Sequence, residues 1–322
     1  MAEQSISLAG RRVWVAGHRG MVGAGLLRAL AGEGCEILTV TSKELDLRRQ
    51  AETEAWVMRH KPEFIFLAAA RVGGILANDT YPGQFLYDNL QIQTNVVEAA
   101  RLAGVEKTMM LGSSCIYPKF APQPMPEDCL LTGPLEETNQ WYAIAKIAGI
   151  KLAQAYRRQY GMNLISVMPT NLYGPNDSYD PQNSHVAAAL LRRFHQARVE
   201  NAKQVTIWGT GTPRREFLHV DDLAQACVFL MKSWVDPDPI NIGSGQEVTI
   251  EELAHLIAGV VGWRGEFVFD RTKPDGTPRK LLDDSRMSAL GWKARIPLRD
   301  GFVGAYHDFQ TRWNAGEFAT AT

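Results

Sequence analysis

The sequence predicts an α/β fold, with a doubly wound parallel sheet in the first half and a smaller C-terminal α/β lobe. Up to Met168, short apolar runs alternate with helix-period segments, as in βαβ units whose strands lie parallel. A glycine-rich turn separates the first apolar run from the first helical segment. Beyond Met168 the alternation stops. We therefore expect a first domain in residues 1–170 and a second lobe mainly in residues 171–322, with segments near 217–245 returning to the first domain.

The apolar pattern places the individual elements. We expect strands at 12–16, 35–41, 63–69, 107–112 and 163–168, and helices at 21–32, 48–60, 81–103 and 139–160. After a loop over 170–184, the pattern predicts a helix at 185–200, strands at 204–208 and 215–220, and a helix at 221–232. The long segment 117–137 contains five prolines, and long ordered loops of this kind are often functional.

Composition excludes several classes of protein. With 34 basic and 35 acidic residues the net charge is −1, so we expect no nucleic-acid partner. No apolar run approaches the roughly 20 residues that span a bilayer, and the N-terminus does not have the pattern of a signal peptide. The four cysteines form no Cys-x-x-Cys pattern. We therefore expect free thiols, a cytoplasmic location, and neither a metal site nor a membrane partner.

The glycine-rich turn predicts a nucleotide site. Its residues are Gly17, His18, Arg19, Gly20, Met21, Val22 and Gly23. Glycines in a strand–turn–helix context let the backbone approach a pyrophosphate at the positive end of the helix dipole. A turn that merely joins strand to helix is the alternative. We interpret the segment as the cofactor turn of a Rossmann-type domain.

The residues around the end of the second strand favour NADP(H) over NAD(H). Sites that prefer NAD usually place a carboxylate at this point, but the chain has none before Glu44. Arg19 could instead pair with the 2′-phosphate of NADP, with help from Ser42 and Lys43. The alternative for Arg19 is a solvated loop arginine.

Three further residues predict hydride transfer to or from a carbonyl carbon. Tyr142 and Lys146 are four residues apart in a helical segment, so the two side chains share one face. A nearby ammonium is expected to lower the pKa of the phenol, which makes it a better proton donor and acceptor. Ser113, at the end of the fourth strand, can donate a hydrogen bond to the carbonyl oxygen.

Eight segments resemble the GDP-L-fucose synthases of the extended short-chain dehydrogenase/reductase family. They lie at 16–23, 67–74, 111–118, 142–149, 168–175, 183–185, 215–221 and 273–282. Ser113-Ser-Cys115 and Asn183-Ser-His185 discriminate best, because generic relatives share only the glycine turn and Tyr-x-x-x-Lys. The resemblance implies a bifunctional enzyme that epimerises carbons 3 and 5 of GDP-4-keto-6-deoxy-D-mannose and then reduces the ketone at carbon 4 with NADPH.

The resemblance gives Cys115 and His185 the proton transfers of epimerisation. Cys115 follows Ser113 by two residues and can face the same cavity. A helix N-cap at Asn183-Ser184 would place His185 at a helix N-terminus, where imidazolium is disfavoured. On their own, a buried cysteine and an exposed first-turn histidine are the more common outcomes. Which group removes the proton and which returns it is open.

The resemblance also implies the remaining contacts. The further cofactor contacts are Leu111, Gly112, Ser114, Lys146, Pro169, Thr170, Asn171, Leu172 and His185. The substrate contacts are Arg193, Trp208, Arg215 and Asp275. Two arginines suit a diphosphate, and the tryptophan suits a base or ribose. A homodimer formed through the helices after Tyr81 and Asn139 is implied as well.

Two features leave alternatives open. Relatives often have an arginine where this chain has Ser42, so the strength of the NADPH preference is undetermined. A 4-epimerase or a 4,6-dehydratase acting on a sugar nucleotide would share the glycine turn and the Tyr142–Lys146 pair. A catalytically inactive NADP-sensing regulator is a third interpretation, although retention of both residues argues against it.

Overall fold

The computed structural model describes residues 6–181, 184–273 and 275–318. The strands are β1 Arg12–Ala16, β2 Glu36–Leu38, β3 Phe64–Leu67, β4 Lys107–Leu111, β5 Leu164–Pro169, β6 Asn171–Tyr173, β7 Gln204–Trp208, β8 Arg214–His219, β9 Ile240–Ile242, β10 Glu247–Thr249, β11 Glu266–Asp270 and β12 Arg279–Lys280. The helices are α1 Met21–Leu30, α2 Gln50–His60, α3 Ile75–Thr80, α4 Pro82–Ala103, α5 Gln140–Tyr160, α6 Val186–Val199, α7 Val220–Ser233, α8 Ile250–Val261, α9 Ser285–Ala289 and α10 Leu298–Asn314.

A six-stranded parallel sheet forms the centre of the molecule, with strand order β2-β1-β3-β4-β5-β9. Alternate residues of β1 enter two different cores. Val13 and Val15 pack with Leu26 of α1 on one face, whereas Trp14 packs with Val57 of α2 on the other. Helices therefore cover both faces, which explains why β3, β4 and β5 are buried along their whole length. They are mostly apolar, with Lys107, Thr108 and Ser166 as buried polar exceptions.

The strand order reverses between β1 and β3. From β1 the chain moves outward to β2, and from β3 it moves the opposite way through β4 and β5. The loops that leave β1 and β3 therefore diverge and leave a crevice at the carboxyl edge of the sheet, which is where ligands bind in this architecture. The doubly wound parallel sheet predicted from the alternation is confirmed.

A second group of strands lies over this edge. Strand β8 pairs with β10 in antiparallel orientation and with β12 and β6 in parallel orientation, and β7 pairs with β11. An aromatic core beneath them includes Phe194 of α6, Trp263, and Phe309 of α10. Strand β9 comes from this half of the sequence but completes the central sheet beside β5.

Most predicted elements lie within two residues of the observed ones, and strand β2 differs more. Strand β2 ends at Leu38 because Thr41 begins a tight turn, in which its carbonyl accepts from the amides of Glu44 and Leu45. Strand β6 and helix α3 fall in segments with no predicted regular structure. Strand β6 is stabilised by pairing with β8, a contact that its own sequence does not show. Within the described residues, no helix is long and apolar enough to cross a membrane.

A buried carboxyl in the loop after β6 gives the fold a testable pH dependence. Asp177 is 5% exposed, and burial raises its pKa to about 7, although the Ser178 amide donates to it at 2.7 Å. The folded chain therefore holds this proton over a range in which an unfolded aspartate, with a pKa near 3.8, has lost it. A carboxyl whose pKa is higher in the folded than in the unfolded chain stabilises the fold at a pH below the unfolded-state pKa. This contribution disappears as the pH rises through the folded-state pKa.

In wild type, the free energy of unfolding should fall as the pH rises from about 4 to 8. We expect this fall to be smaller in Asp177→Asn. One pKa unit corresponds to about 1.4 kcal/mol, so the wild-type contribution is roughly 2–4 kcal/mol. Urea unfolding across this range measures it, with Asp79→Asn on the exposed side of α3 as the matched control. The same pH slope in wild type and Asp177→Asn would contradict the assignment.

Candidate active site

The glycine turn forms a cradle at the crevice. Gly17 has φ +86°, and a Cβ there would lie 2.6 Å from the amide nitrogen of Ala69, just after β3. A Cβ on Gly23 would overlap the carbonyl oxygen of Gly17. A Cβ on Gly20, in contrast, would meet nothing closer than 3.6 Å. Packing inside the protein therefore explains Gly17 and Gly23 but not Gly20. Gly20 is the N-cap of α1 and borders the crevice.

Neighbouring groups fit a bound dinucleotide phosphate. The first amides of α1 have no acceptor within their own helix, and Met21 and Val22 begin that helix. The Nδ1 atom of His18 is buried and has no hydrogen-bond partner among the described residues. Arg19 and Ser42 are exposed at the same rim. A polar ligand in the cradle would provide partners for these groups, so the residues fit the cofactor that the sequence predicts.

Ser113 and Cys115 leave β4 in a single tight turn. The hydroxyl oxygen of Ser113 accepts from the Cys115 amide at 3.2 Å and thereby caps a turn over Ser114–Ile116. The Ser113 side chain also lies close enough to the Cys115 thiol and to the Tyr142 hydroxyl to lower the pKa of both groups. One serine therefore connects the candidate acid/base group to the candidate proton donor.

Tyr142 and Lys146 lie near the start of α5, as predicted. The prediction that the pKa of Tyr142 is lowered is wrong. Burial and the charge of Cys115 raise the pKa of Tyr142, and the Ser113 hydrogen bond opposes them only in part. Lys146 is 8% exposed. Its Nζ donates to the carbonyl of Leu111 at 2.7 Å and lies 5.7 Å from the centre of the tyrosine ring. Burial lowers the pKa of Lys146 to about 8, so the side chain is still mostly an ammonium at neutral pH.

His185 is itself the N-cap of α6, which begins at Val186. The predicted capping residue Asn183 lies outside the described residues, whereas Ser184 is described and donates its amide to Asp180. The pKa of His185 lies below its usual value, as expected for a neutral imidazole. Desolvation by the surrounding protein and the charge of Lys280 both lower it, although His185 is exposed at the surface.

The remaining predicted cofactor contacts border the same edge of the sheet. Gly112 donates its amide to Val167 of β5 at 2.8 Å. Pro169 ends β5, Thr170 joins the two strands, and Asn171 and Leu172 begin β6. The side-chain amide of Asn171 donates to the carbonyl of Glu216 at 2.7 Å. These contacts keep the rim of the crevice in place beside β4.

The predicted substrate residues form a second cluster on β7, β8 and α6. Trp208 is 55% exposed, and Arg193 and Lys273 lie 6.0 and 5.5 Å from the centre of its ring. Arg193 donates to the carbonyl of Thr206 at 2.6 Å. Arg215 donates to the carbonyl of Arg214 at 2.8 Å and lies near enough to Asp275 and Cys115 for their charges to act on it. An aromatic face flanked by cations is suited to a nucleotide.

Asp275 has a structural partner already. Its carboxylate accepts from the amide of Thr210 at 2.7 Å and from the Thr210 hydroxyl at 2.9 Å. A Cβ on Gly209 would overlap this carboxylate. These contacts hold the turn after Trp208, and a substrate contact by Asp275 stays a prediction.

Two functional candidates were missed as individual residues. Lys273 lies against Trp208, and Lys280 donates to the sulfur of Cys115 at 3.2 Å. Both lie in the segment 273–282, one of the eight that resemble the family. The neighbouring sequence does not distinguish them from solvated lysines. A cation 165 positions from Cys115 is brought to it only by the pairing of β12 with β8.

Fold and site together define an enzyme of the short-chain dehydrogenase/reductase type. A family model described as "NAD dependent epimerase/dehydratase family" matches residues 13–243. "GDP-L-fucose synthase 1" of Arabidopsis thaliana is 58% identical over 303 residues, covering 94% of both chains. The GDP-L-fucose synthase of Escherichia coli K12 is 52% identical over 309 residues, covering 93% of this chain and 96% of that one.

Solved structures agree with this assignment. A GDP-L-fucose synthetase from Naegleria fowleri bound to NADP has a TM-score of 0.88 at 25% identity, covering 97% of this chain and 98% of that one. A GDP-mannoheptose C4 reductase from Campylobacter jejuni with NADP bound has a TM-score of 0.85 at 35% identity, covering 94% of this chain and 98% of that one. The chain belongs to the NAD dependent epimerase/dehydratase family and, within it, to the group of the GDP-L-fucose synthases.

We expect Arg19→Ala to weaken NADPH binding about 10- to 100-fold while leaving NADH binding nearly unchanged. Only NADPH carries the 2′-phosphate, and a hydrogen bond between charged groups contributes roughly 1.5–3 kcal/mol. Fluorescence titration with both cofactors measures the two Kd values. Arg59→Ala, on an exposed position of α2, is the matched control. An equal loss for both cofactors would disprove the role given to Arg19.

Proposed function

We propose that this chain is a bifunctional NADPH-dependent epimerase-reductase that converts GDP-4-keto-6-deoxy-D-mannose to GDP-L-fucose. The observation that carries the proposal is one connected cluster. The hydroxyl of Ser113 accepts from the Cys115 amide at 3.2 Å and acts on the pKa of both the Cys115 thiol and the Tyr142 phenol, so an acid/base group adjoins a reductase centre. The names of the relatives, and the NADP in related structures, support the same reaction.

The cradle around Gly20 and the ammonium of Lys146 are the groups that would hold the cofactor, with Arg19 at the 2′-phosphate. NADPH supplies the hydride that reduces the sugar ketone. Ser113 would orient the ketone oxygen by donating a hydrogen bond to it. The donation of Lys146 to the Leu111 carbonyl fixes its side chain at the end of β4, where the nicotinamide ribose of this fold is expected.

Epimerisation uses the acidity of the carbons beside the ketone. One group breaks a C–H bond by taking the proton, and the electron pair moves onto the ketone oxygen, which Ser113 and Tyr142 stabilise. A second group then returns a proton to the opposite face of the carbon. Cys115 and His185 are the proposed pair, and the step neither consumes nor releases electrons.

The raised pKa of Tyr142 suits the reduction that follows. When hydride reaches carbon 4, the ketone oxygen becomes an alkoxide and requires one proton. A phenol whose pKa is raised by burial stays protonated at neutral pH, so it is ready to donate. Tyr142 would provide the proton of the new hydroxyl and regain one from solvent afterwards.

The cation-flanked face of Trp208 is proposed to hold the GDP moiety. Arg193 and Arg215 are suited to the diphosphate because a guanidinium binds phosphate oxygens in a fixed two-point geometry. Burial lowers the pKa of both arginines, which indicates that they are partly removed from solvent. An anionic ligand would compensate for this desolvation.

Incubation with GDP-4-keto-6-deoxy-mannose and NADPH in deuterated water tests the proposal. We expect GDP-L-fucose with deuterium at carbons 3 and 5 and one NADPH consumed per product, read by NMR and absorbance. Cys115→Ser should lose deuterium incorporation about 100-fold or more, as for removal of an acid/base group, and still bind NADPH. Full-rate exchange in Cys115→Ser would remove Cys115 from this role, and turnover without NADPH consumption would indicate a 4-epimerase.

We also propose a cytoplasmic homodimer formed through α4 and α5. These helices pack against each other along one side of the sheet. They nevertheless leave large apolar side chains exposed, namely Tyr87 and Leu102 on α4 and Trp141 and Ile144 on α5. Two such helices from each subunit would form a four-helix interface and bury these side chains.

Light scattering on the eluting protein tests the dimer. We expect twice the chain mass for wild type and a single-chain mass for a Tyr87→Glu/Ile144→Glu double variant, because buried unpaired charge disrupts an interface. Val303→Glu, at an exposed apolar position of α10, is the control. A wild-type mass of one chain would refute the proposal.

A further inference from the structure

Lys280 occupies a fixed position beside the reactive thiol. Its Nζ lies 3.2 Å from the sulfur of Cys115, and strand β12 places it next to Arg215 of β8. The following backbone is held from two sides. The amide of Leu281 donates to Gln123, and the Leu281 carbonyl accepts from Met125 at 2.8 Å. These contacts fix the backbone of this segment beside Cys115, so the Lys280 ammonium stays within reach of the thiol.

We propose that Lys280 is a positioning residue that holds Cys115 as a thiolate, so that the cleft contains a preformed thiolate–ammonium pair. The inference rests on the proposed function, since it concerns how the epimerisation residue is prepared. The thiol proton goes to solvent, and the two opposite charges stabilise each other across 3.2 Å. The charge of the same ammonium also lowers the pKa of His185, in addition to the larger effect of desolvation.

The other groups around the thiol determine how strongly Lys280 must lower the pKa of Cys115. Burial alone would raise the pKa of Cys115, and so would the carboxylate of Glu136. The charge of Lys280 and hydrogen bonds from Ser113 and Lys280 oppose them, and the pKa of the thiol lies below its usual value. Arg215 and Tyr142 also interact with the charge of Cys115.

The pH dependence of Cys115 alkylation by iodoacetamide tests the proposal without any sugar substrate. Mass spectrometry of the Cys115 peptide separates it from the other three cysteines. In wild type we expect a midpoint below about pH 8.5, the value of an ordinary thiol. Lys280→Met should move the midpoint upward by roughly 1–3 on the pH scale, and Lys280→Arg should keep it low.

Arg279→Met is the matched control. Arg279 is the neighbouring cation on β12, but it pairs with Glu247 at 2.8 Å, so its loss should leave the alkylation midpoint close to that of wild type. A wild-type midpoint at or above that of a free thiol overturns the proposal, even if Lys280→Met does not fold. An unchanged midpoint in a folded Lys280→Met also overturns it.

A second readout separates a charge effect from a merely structural one. At neutral pH, Lys280→Met should exchange solvent deuterium more slowly than wild type, about tenfold if its alkylation midpoint lies one pH unit higher. The exchange rate should recover as the pH approaches the new midpoint. A loss that is equal at all pH values would contradict the thiolate role. Failure of the wild type to convert the GDP-sugar would count against the proposed function, and the alkylation midpoints would still decide the ion pair.

Discussion

The buried carboxylate of Glu216 is the interaction on which the arrangement of the site depends. Glu216 lies on β8 and is fully buried. It accepts from the amides of Ser244 and Gly245, just after β9, at 2.7 and 2.8 Å, and from the amide of Leu282, just after β12, at 3.1 Å. A buried carboxylate is costly unless it is fully hydrogen-bonded. One side chain thereby holds together the end of the central sheet, the strand that carries Arg215 and the strand that carries Lys280.

The proline-containing loop completes this junction from the other side. The amide of Met125 donates to Leu281, and the Met125 carbonyl accepts from Asp283 at 2.9 Å. Asn241 of β9 donates a further hydrogen bond to the Met125 carbonyl at 2.9 Å. The segment between Ser113 and Tyr142 is therefore a framework against which β12 rests. Its length and its prolines are explained by this contact with a distant strand.

Local patterns in the sequence were enough for the parallel sheet and for part of the site. The apolar run of β1 and the glycines after it depend on near neighbours, and so does the four-residue spacing of Tyr142 and Lys146. Strand β6 and the place of Lys280 depend on pairing with β8, which no short window contains. The pKa of Tyr142 was mispredicted for a related reason, because burial is a property of the assembled fold and outweighs a nearby cation. Cys115 and His185 were singled out through family resemblance, since an isolated cysteine or histidine carries little information.

The late position of β9 and β12 in the sequence has a consequence for biosynthesis. Chain emerging from a ribosome could form β1 to β5 early, since these strands and their helices are contiguous in sequence. The edge beside β5 stays open until Ile240–Ile242 arrives, and Cys115 lacks its cation until Lys280 follows. A nascent chain would thus carry an ordinary thiol through most of its synthesis. On the proposed role of Lys280, the enhanced reactivity of Cys115 would begin only when nearly the whole polypeptide is in place.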